Sequence, residues 1–232
     1  PLFTPPGLPS LPSPAEQGAE QLAENLFLLR GAVNTGVLVA GRKALLFDCC
    51  DSVTPARLAA LNVTTVAWIC ATQFRRDHVA GAYAWAKAGT RIAAPERERA
   101  LLENPAAYWQ DPKNRWFVYH ARPGPLVPVK PLPVHRGVQD GAVLEWEGYR
   151  IRVLDTPGAT DGSVSYLLQL GGKSFCFSGD VLYGPGQVWE LFALQKGWDV
   201  IGDYHGFLGG LRLLRPSLEK LARSVADLLI PS

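Results

Sequence analysis

Two side chains able to hold a cation or move a proton, Asp77 and His78, are adjacent in the stretch T-Q-F-R-R-D-H-V-A-G over residues 72–81, and a third, Asp180, lies in F-S-G-D-V-L-Y. Two carboxylates and an imidazole can bind zinc, iron or manganese and leave coordination positions open. Without a metal the same set is an electrostatic problem, because neighbouring carboxylates disfavour each other's charge. Arg75, two residues before Asp77, could supply the missing positive charge through a planar guanidinium that pairs with Asp77 or Asp180. Two readings therefore stand at this point. One is a single divalent metal on Asp77, His78 and Asp180; the other is no metal at all, with Arg75 in its place. Asp77 and His205, the latter in Y-H-G-F, are the candidates for proton transfer. A loop histidine such as His205 is more often simply a surface residue. Phe74, Tyr183, Trp189, Trp198 and Tyr204 could line an apolar cleft nearby, or pack at its rim.

These residues need a framework that brings distant positions together. Short apolar segments over residues 25–30, 36–40 and 43–49, separated by Gly31, Asn34 and Gly41-Arg42, predict a β-meander. Thr54-Pro55 opens a short helix. The apolar run 65–71 fits a strand buried on both faces, and the Q-F-R-R-D-H loop follows it directly. A helix is expected over 79–88, a strand over 91–94 and a helix over 95–103 with Glu96, Arg97, Glu98 and Arg99 on a charged side. Residues 104–133 are rich in proline and aromatics and too long for an ordinary connection, which predicts a functional loop or an irregular wall. Strands resume over 132–137, 142–146, 149–155, 163–170 and 174–178, with glycine-containing turns between them. A helix with Pro216 near its start and a last short strand at 228–230 complete the order. Two sheets face to face with helices outside would satisfy it.

Four segments in this order resemble the metallo-β-lactamase superfamily. They are the opening strands N-L-F-L-L-R-G-A-V-N-T-G-V-L-V-A with A-L-L-F-D-C-C-D, the stretch 72–81, R-V-L-D-T-P-G-A-T-D-G-S-V-S-Y-L, and F-S-G-D-V-L-Y. The resemblance implies an α/β (α+β) fold, a four-layer αββα sandwich of two mixed sheets. It also implies one or two metals at one edge of the sheets. Such metals activate water for hydrolysis, lowering its pKa to about 7. The family pattern at 72–81 is T-H-x-H-x-D-H-x-x-G. Gln73 and Arg75 stand where it has two first-metal histidines, and Ala159 stands where T-P-G-H-T-x-G-S has the third. Alanine has no donor and arginine keeps its proton, so the first site is expected to be absent. Asp77, His78 and Asp180 match the second site and the bridge, as a vestigial or single-metal set. Asp48 matches an aspartate that props the ligand loop without binding metal. The family's last ligand normally follows a strand such as L-L-I-P-S, where this sequence ends at Ser232. The expected organisation is a proline-rich arm over 1–24 and one domain over 25–232 lacking that last segment.

The expected function is a binding or assembly role in a cleft whose dinuclear centre has degenerated, with no cofactor. The alternative is a hydrolase of esters, thioesters or lactones using one divalent metal. A small-molecule or peptide ligand and a homo-oligomer both fit this reading. Composition excludes other classes. At 232 residues, 47% hydrophobic and 19% charged, with net charge +2, the chain is a globular domain without the basic clustering of a nucleic-acid binder. It contains no run of the ~20 apolar residues that crosses a bilayer. Cys49, Cys50, Cys70 and Cys176 form no C-x-x-C pair and read as buried thiols. The sequence opens on proline and has no methionine. A missing natural start is thus expected, with a cytoplasmic protein favoured over an exported one that has lost its signal.

Overall fold

In the first half, the inner strands form where apolar β-branched and aliphatic residues run without a helix period, so both faces of those strands must be covered. The structure, a computed structural model, describes residues 18–110, 128–184, 187–188 and 207–232. In chain order the first half gives β1 (Glu20–Ala23), β2 (Leu26–Leu29), β3 (Thr35–Ala40), β4 (Lys43–Phe47), α1 (Pro55–Ala59), β5 (Thr65–Cys70), α2 (Arg76–Val79), α3 (Ala82–Lys87) and β6 (Arg91–Pro95). A 3-10 turn (Glu96–Glu98), α4 (Arg99–Glu103) and α5 (Pro105–Gln110) follow. The second half gives β7 (Arg136–Val138), β8 (Val143–Trp146), β9 (Tyr149–Asp155), β10 (Val164–Leu170), β11 (Lys173–Gly179), α6 (Phe207–Arg223) and β12 (Leu228–Pro231).

A seven-stranded sheet runs β1-β2-β3-β4-β5-β6-β7 and a five-stranded sheet runs β12-β11-β10-β9-β8. Both are mixed: β4, β5, β6 and β7 are parallel neighbours beyond an antiparallel meander, and β12 is parallel to β11 at the edge of an otherwise antiparallel sheet. Alternation along each strand sorts side chains into layers. On β4, Leu45 and Phe47 join Leu38, Tyr166, Phe175 and Phe177 between the sheets, whereas Ala44 and Leu46 join Val37, Ile69, Leu58, Val79 and Leu102 beneath the helices of the first half. Leu154, Leu167 and Cys176 meet Leu214 and Leu221 of α6 on the far side. The order is helix, sheet, sheet, helix, the four-layer sandwich expected. Phe47 stacks on Phe177 with ring centroids 4.0 Å apart, and the Tyr166 hydroxyl donates to the Ala71 carbonyl at 2.9 Å. The sheets approach closely at Gly36, where a Cβ would enter the Phe177 ring.

Several elements depart from expectation. Glu20–Ala23, within the segment read as an arm, pairs antiparallel with β2 as an edge strand. The helix expected from residue 79 begins at Arg76, inside the motif, and is interrupted at Gly81, whose N–H donates to the Cys49 carbonyl at 2.9 Å. Pro216 is internal to a helix of 17 residues, not near its start. Glu98 is buried, in contrast to the charged outer side expected for its turn. All four cysteines are free and buried. Among the described residues no helix is long and apolar enough to cross a membrane.

Candidate functional site

Strand direction gathers the site. β4 and β5 are parallel, β11 and β12 are parallel, and β9 runs with β11 because each is antiparallel to β10. Their C-terminal ends therefore deliver Asp48, the loop 72–75, Ala159, Asp180 and Ser232 to one edge of the sandwich. Asp48 adopts φ 58°, a left-handed conformation that aspartate tolerates better than most residues. Gly179 has φ 57°, and a Cβ there would lie 2.7 Å from Thr72 Oγ1, so only glycine lets β11 end against Thr72.

Asp48 is the buried anchor. Its carboxylate accepts from the Thr72 N–H at 2.7 Å and from the Thr72 hydroxyl at 2.9 Å. It also accepts from Ser232 Oγ at 3.2 Å and faces His78 Nδ1 at 3.0 Å. His78 is fully buried, and its other nitrogen, Nε2, lies 3.1 Å from Asp180 Oδ2. Burial alone would lower the His78 pKa; the charges of Asp180 and Asp48, and hydrogen bonds to both, outweigh it and hold the imidazole well above its ordinary 6.5. Burial alone would likewise raise the Asp180 pKa, but His78, Arg75 and Gln73 bring it below 3.8.

Gln73 closes the cluster. Its Nε2 is 2.6 Å from Asp180 Oδ2 and 2.6 Å from His78 Nε2. A carboxylate oxygen requires a donor, which fixes the amide nitrogen toward Asp180 and leaves the buried Gln73 Oε1 without a hydrogen-bond partner. Arg75 is also buried; its Nη1 stands 3.5 Å from Asp180 Oδ2 and its Nη2 donates to the Ala159 carbonyl at 2.9 Å. The charges balance internally, Asp48 and Asp180 against His78 and Arg75.

The structure thus brings together Asp48, Gln73, Arg75, His78, Ala159 and Asp180. Asp77 is not among them: it is exposed in the first turn of α2, and no polar contact joins it to the cluster. Phe74 is half-buried against the layer of helices and Tyr183 is 58% exposed. Trp189, Trp198, Tyr204 and His205 lie outside the described residues, as does most of the proline-aromatic segment. Sequence reasoning missed two participants. Ser232 reaches Asp48, and Glu98 accepts from the backbone N–H groups of Phe74 at 2.7 Å and Gly162 at 2.9 Å. Nothing in P-E-R-E-R distinguishes Glu98 from its exposed neighbour Glu96; only the tertiary fold does.

These residues do not fit the metal pair that the sandwich implies. A metal at His78 would need the Nε2 lone pair. In the neutral imidazole that lone pair faces the Gln73 amide, and in the imidazolium it carries a proton shared with Asp180. Among the described residues no group of three histidine, cysteine or acidic side chains is arranged to hold an ion.

A two-sheet αββα sandwich with a polar cluster at the C-terminal ends of its strands defines the class of protein. The metallo-beta-lactamase superfamily profile matches residues 28–232, and the chain belongs to that superfamily. Among solved structures it is similar to BJP-1, a subclass B3 metallo-beta-lactamase of Bradyrhizobium japonicum, at 18% identity over 93% of this chain and 77% of that one, with TM-score 0.70. It is similar to the class B3 di-zinc enzyme LRA-12 from an Alaskan soil metagenome at 14% identity, covering 97% and 82%, with TM-score 0.70. A Cronobacter sakazakii metallo-beta-lactamase described by a HARLDQ motif matches at 17% identity, covering 93% and 77%, with TM-score 0.67. At these identities the likeness is one of fold.

Proposed function

We propose that this protein is a metallo-β-lactamase-fold member whose metal centre has been replaced by an internal ion-paired cluster, and that it acts in binding or assembly rather than in metal-dependent hydrolysis. One observation carries the reading. The Gln73 amide nitrogen sits 2.6 Å from both His78 Nε2 and Asp180 Oδ2, atoms of two of the residues that would hold a metal. Arg75 adds a buried positive charge beside Asp180, so an incoming divalent ion would meet a carboxylate already compensated. Arginine at this step has a parallel: set letter for letter, H-A-R-L-D-Q of the Cronobacter sakazakii protein and Q-F-R-R-D-H of residues 73–78 share their third and fifth letters.

A small molecule or peptide is the proposed ligand. The supporting feature is Trp109 at the head of the proline-aromatic segment, 41% exposed, with its indole N–H held by the Pro128 carbonyl at 3.1 Å. The runner-up, a mono-metal hydrolase on Asp77, His78 and Asp180, requires the exposed Asp77 to turn inward and Gln73 to withdraw. Elemental analysis of protein purified without chelator, with an ester, thioester and lactone screen under added zinc, manganese or iron, separates the two. The expected result is no stoichiometric metal and no metal-dependent turnover. One tightly held equivalent, or turnover abolished by Asp180→Ala, overturns the proposal.

A further inference from the structure

Two loops carry the cluster's substituted positions. Residues 72–75 follow β5 and bear Gln73 and Arg75; residues 156–163 follow β9 and bear Ala159. Glu98, from the turn after β6, is inserted between them. One carboxylate oxygen accepts from the Phe74 N–H at 2.7 Å and the other from the Gly162 N–H at 2.9 Å. The fit is tight: a Cβ at Gly162 would lie 2.6 Å from Glu98 Cγ. Glu98 is 2% exposed and the nearby Thr160, 8% exposed, has a buried hydroxyl with no hydrogen bond of adequate geometry.

We propose that Glu98 is a proton-responsive clasp between the loop bearing Gln73 and Arg75 and the loop bearing Ala159: protonated, it stays buried between them with its hydroxyl toward Thr160, and on losing that proton to solvent its buried charge favours loosening of the two loops and hydration of the carboxylate. Hydrogen bonds to an ionised acceptor are about twice as strong as neutral ones, but here the cost of burying the charge outweighs them. A protonated carboxyl keeps one good acceptor oxygen, and its hydroxyl needs an acceptor of its own, which the Thr160 oxygen can be. The surroundings leave the charge finely balanced. Burial pushes the Glu98 pKa up, against Thr160, the two N–H groups and the charge of Arg75, to about 7. Arg75 is the charged group facing it from the loop after β5, and in the loop after β9 Asp161 adjoins Gly162 in sequence. On its own turn and the start of α4, Arg97 lies 4.0 Å from Asp155, while Arg99 pairs with Glu96 and Glu103. From β7, the exposed Arg136 donates to the Val143 carbonyl at 3.0 Å. The inference is independent of whether the site binds metal, since Glu98 touches neither His78 nor Asp180.

The test is residue-resolved amide exchange on the full chain, expressed as protection factors, with the carbon-13 shift of the Glu98 carboxyl followed in parallel. Protection at Phe74 or Gly162 should fall about tenfold as pH rises from about 6 to about 8, as linkage requires of a carboxyl that the closed loops hold protonated. The carboxyl should show an inflection between about pH 6 and pH 8. Glu98→Gln, a fixed neutral form, should show the low-pH protection throughout. Protection that does not change over this range, or that changes equally in Glu98→Gln, overturns the proposal. If the variant does not fold, the carboxyl titration of the unmodified protein decides, and an inflection below about pH 5 overturns it.

Discussion

Gln73 Nε2 and Asp180 Oδ2, 107 positions apart in sequence, lie 2.6 Å from each other in the buried interior of the site. A neutral amide thereby supplies a hydrogen bond where a cation would supply charge, and Arg75 supplies the charge from 3.5 Å. The two contributions are unequal. Gln73→Ala removes one hydrogen bond to a charged group, which costs about 1.5–3 kcal/mol. Arg75→Met leaves Asp180 buried with less compensation, which costs about 3–5 kcal/mol. Urea unfolding of both variants checks the order; Gln73→Ala as the more damaging change would mean that Arg75 does not carry the compensation.

The pH dependence of stability separates the three shifted groups. His78 has a raised pKa in the folded state, so its contribution is complete below about 6.5 and is lost as pH rises through its folded value. Asp180 has a lowered pKa, so its contribution is complete above about 3.8 and is lost as pH falls through its folded value. Glu98 acts in the opposite sense to Asp180: the folded state holds its proton more tightly than the unfolded chain, so stability declines as pH rises from 4.5 to about 7. The melting temperature should therefore peak on the acidic side of neutrality. In Glu98→Gln the decline between about pH 4.5 and pH 7 should shrink while the acid limb remains. An unchanged neutral limb in that variant would assign the slope to other groups.

The inner strands of the first sheet were legible because they are buried on both faces and read as unbroken apolar runs, as in β3 and β4, and β8 and β9 because buried and exposed residues alternate along them. β1 was not, since E-Q-L-A has no apolar alternation and its place is set by pairing with β2. The start of α2 was hidden for a local reason: Arg75 occupies the N-cap position and makes no side-chain capping bond, so no serine, threonine, asparagine or aspartate marks it. Within the site, the motif letters located Asp48, Gln73, Arg75, His78, Ala159 and Asp180. They could not say that Asp77 is exposed, because exposure there depends on where α2 begins. They could not single out Glu98, whose burial is decided by the loop after β9, 64 positions away at Gly162.

Gly36 tests the packing that holds the two sheets in register. Its missing side chain is what admits the Phe177 ring, which in turn stacks on Phe47. Gly36→Ala should destabilise the domain by about 1–3 kcal/mol through overpacking. The same variant combined with Phe177→Leu should recover part of that loss, because the leucine withdraws the ring edge. Equal loss in the single and double variants, read from denaturant midpoints, would place the strain elsewhere.

Placing imidazoles at the three substituted positions is the strongest test of the proposal that those substitutions exclude a metal. Gln73→His, Arg75→His and Ala159→His in one chain would remove the amide from between His78 and Asp180, remove the buried guanidinium and add three neutral nitrogen donors. These are the ligand type that zinc prefers at about 2.0–2.1 Å. The backbone at all three positions already lies on one edge of the sandwich, as the Arg75 bond to the Ala159 carbonyl at 2.9 Å shows. The variant should retain at least one zinc per chain after dialysis, and its melting temperature should rise with added zinc as binding to the folded state requires. The unmodified protein should do neither. Arg75→His alone should gain little, since Gln73 would still stand between His78 and Asp180. A triple variant that folds yet holds no zinc would show that these three positions alone do not decide whether the site takes a metal.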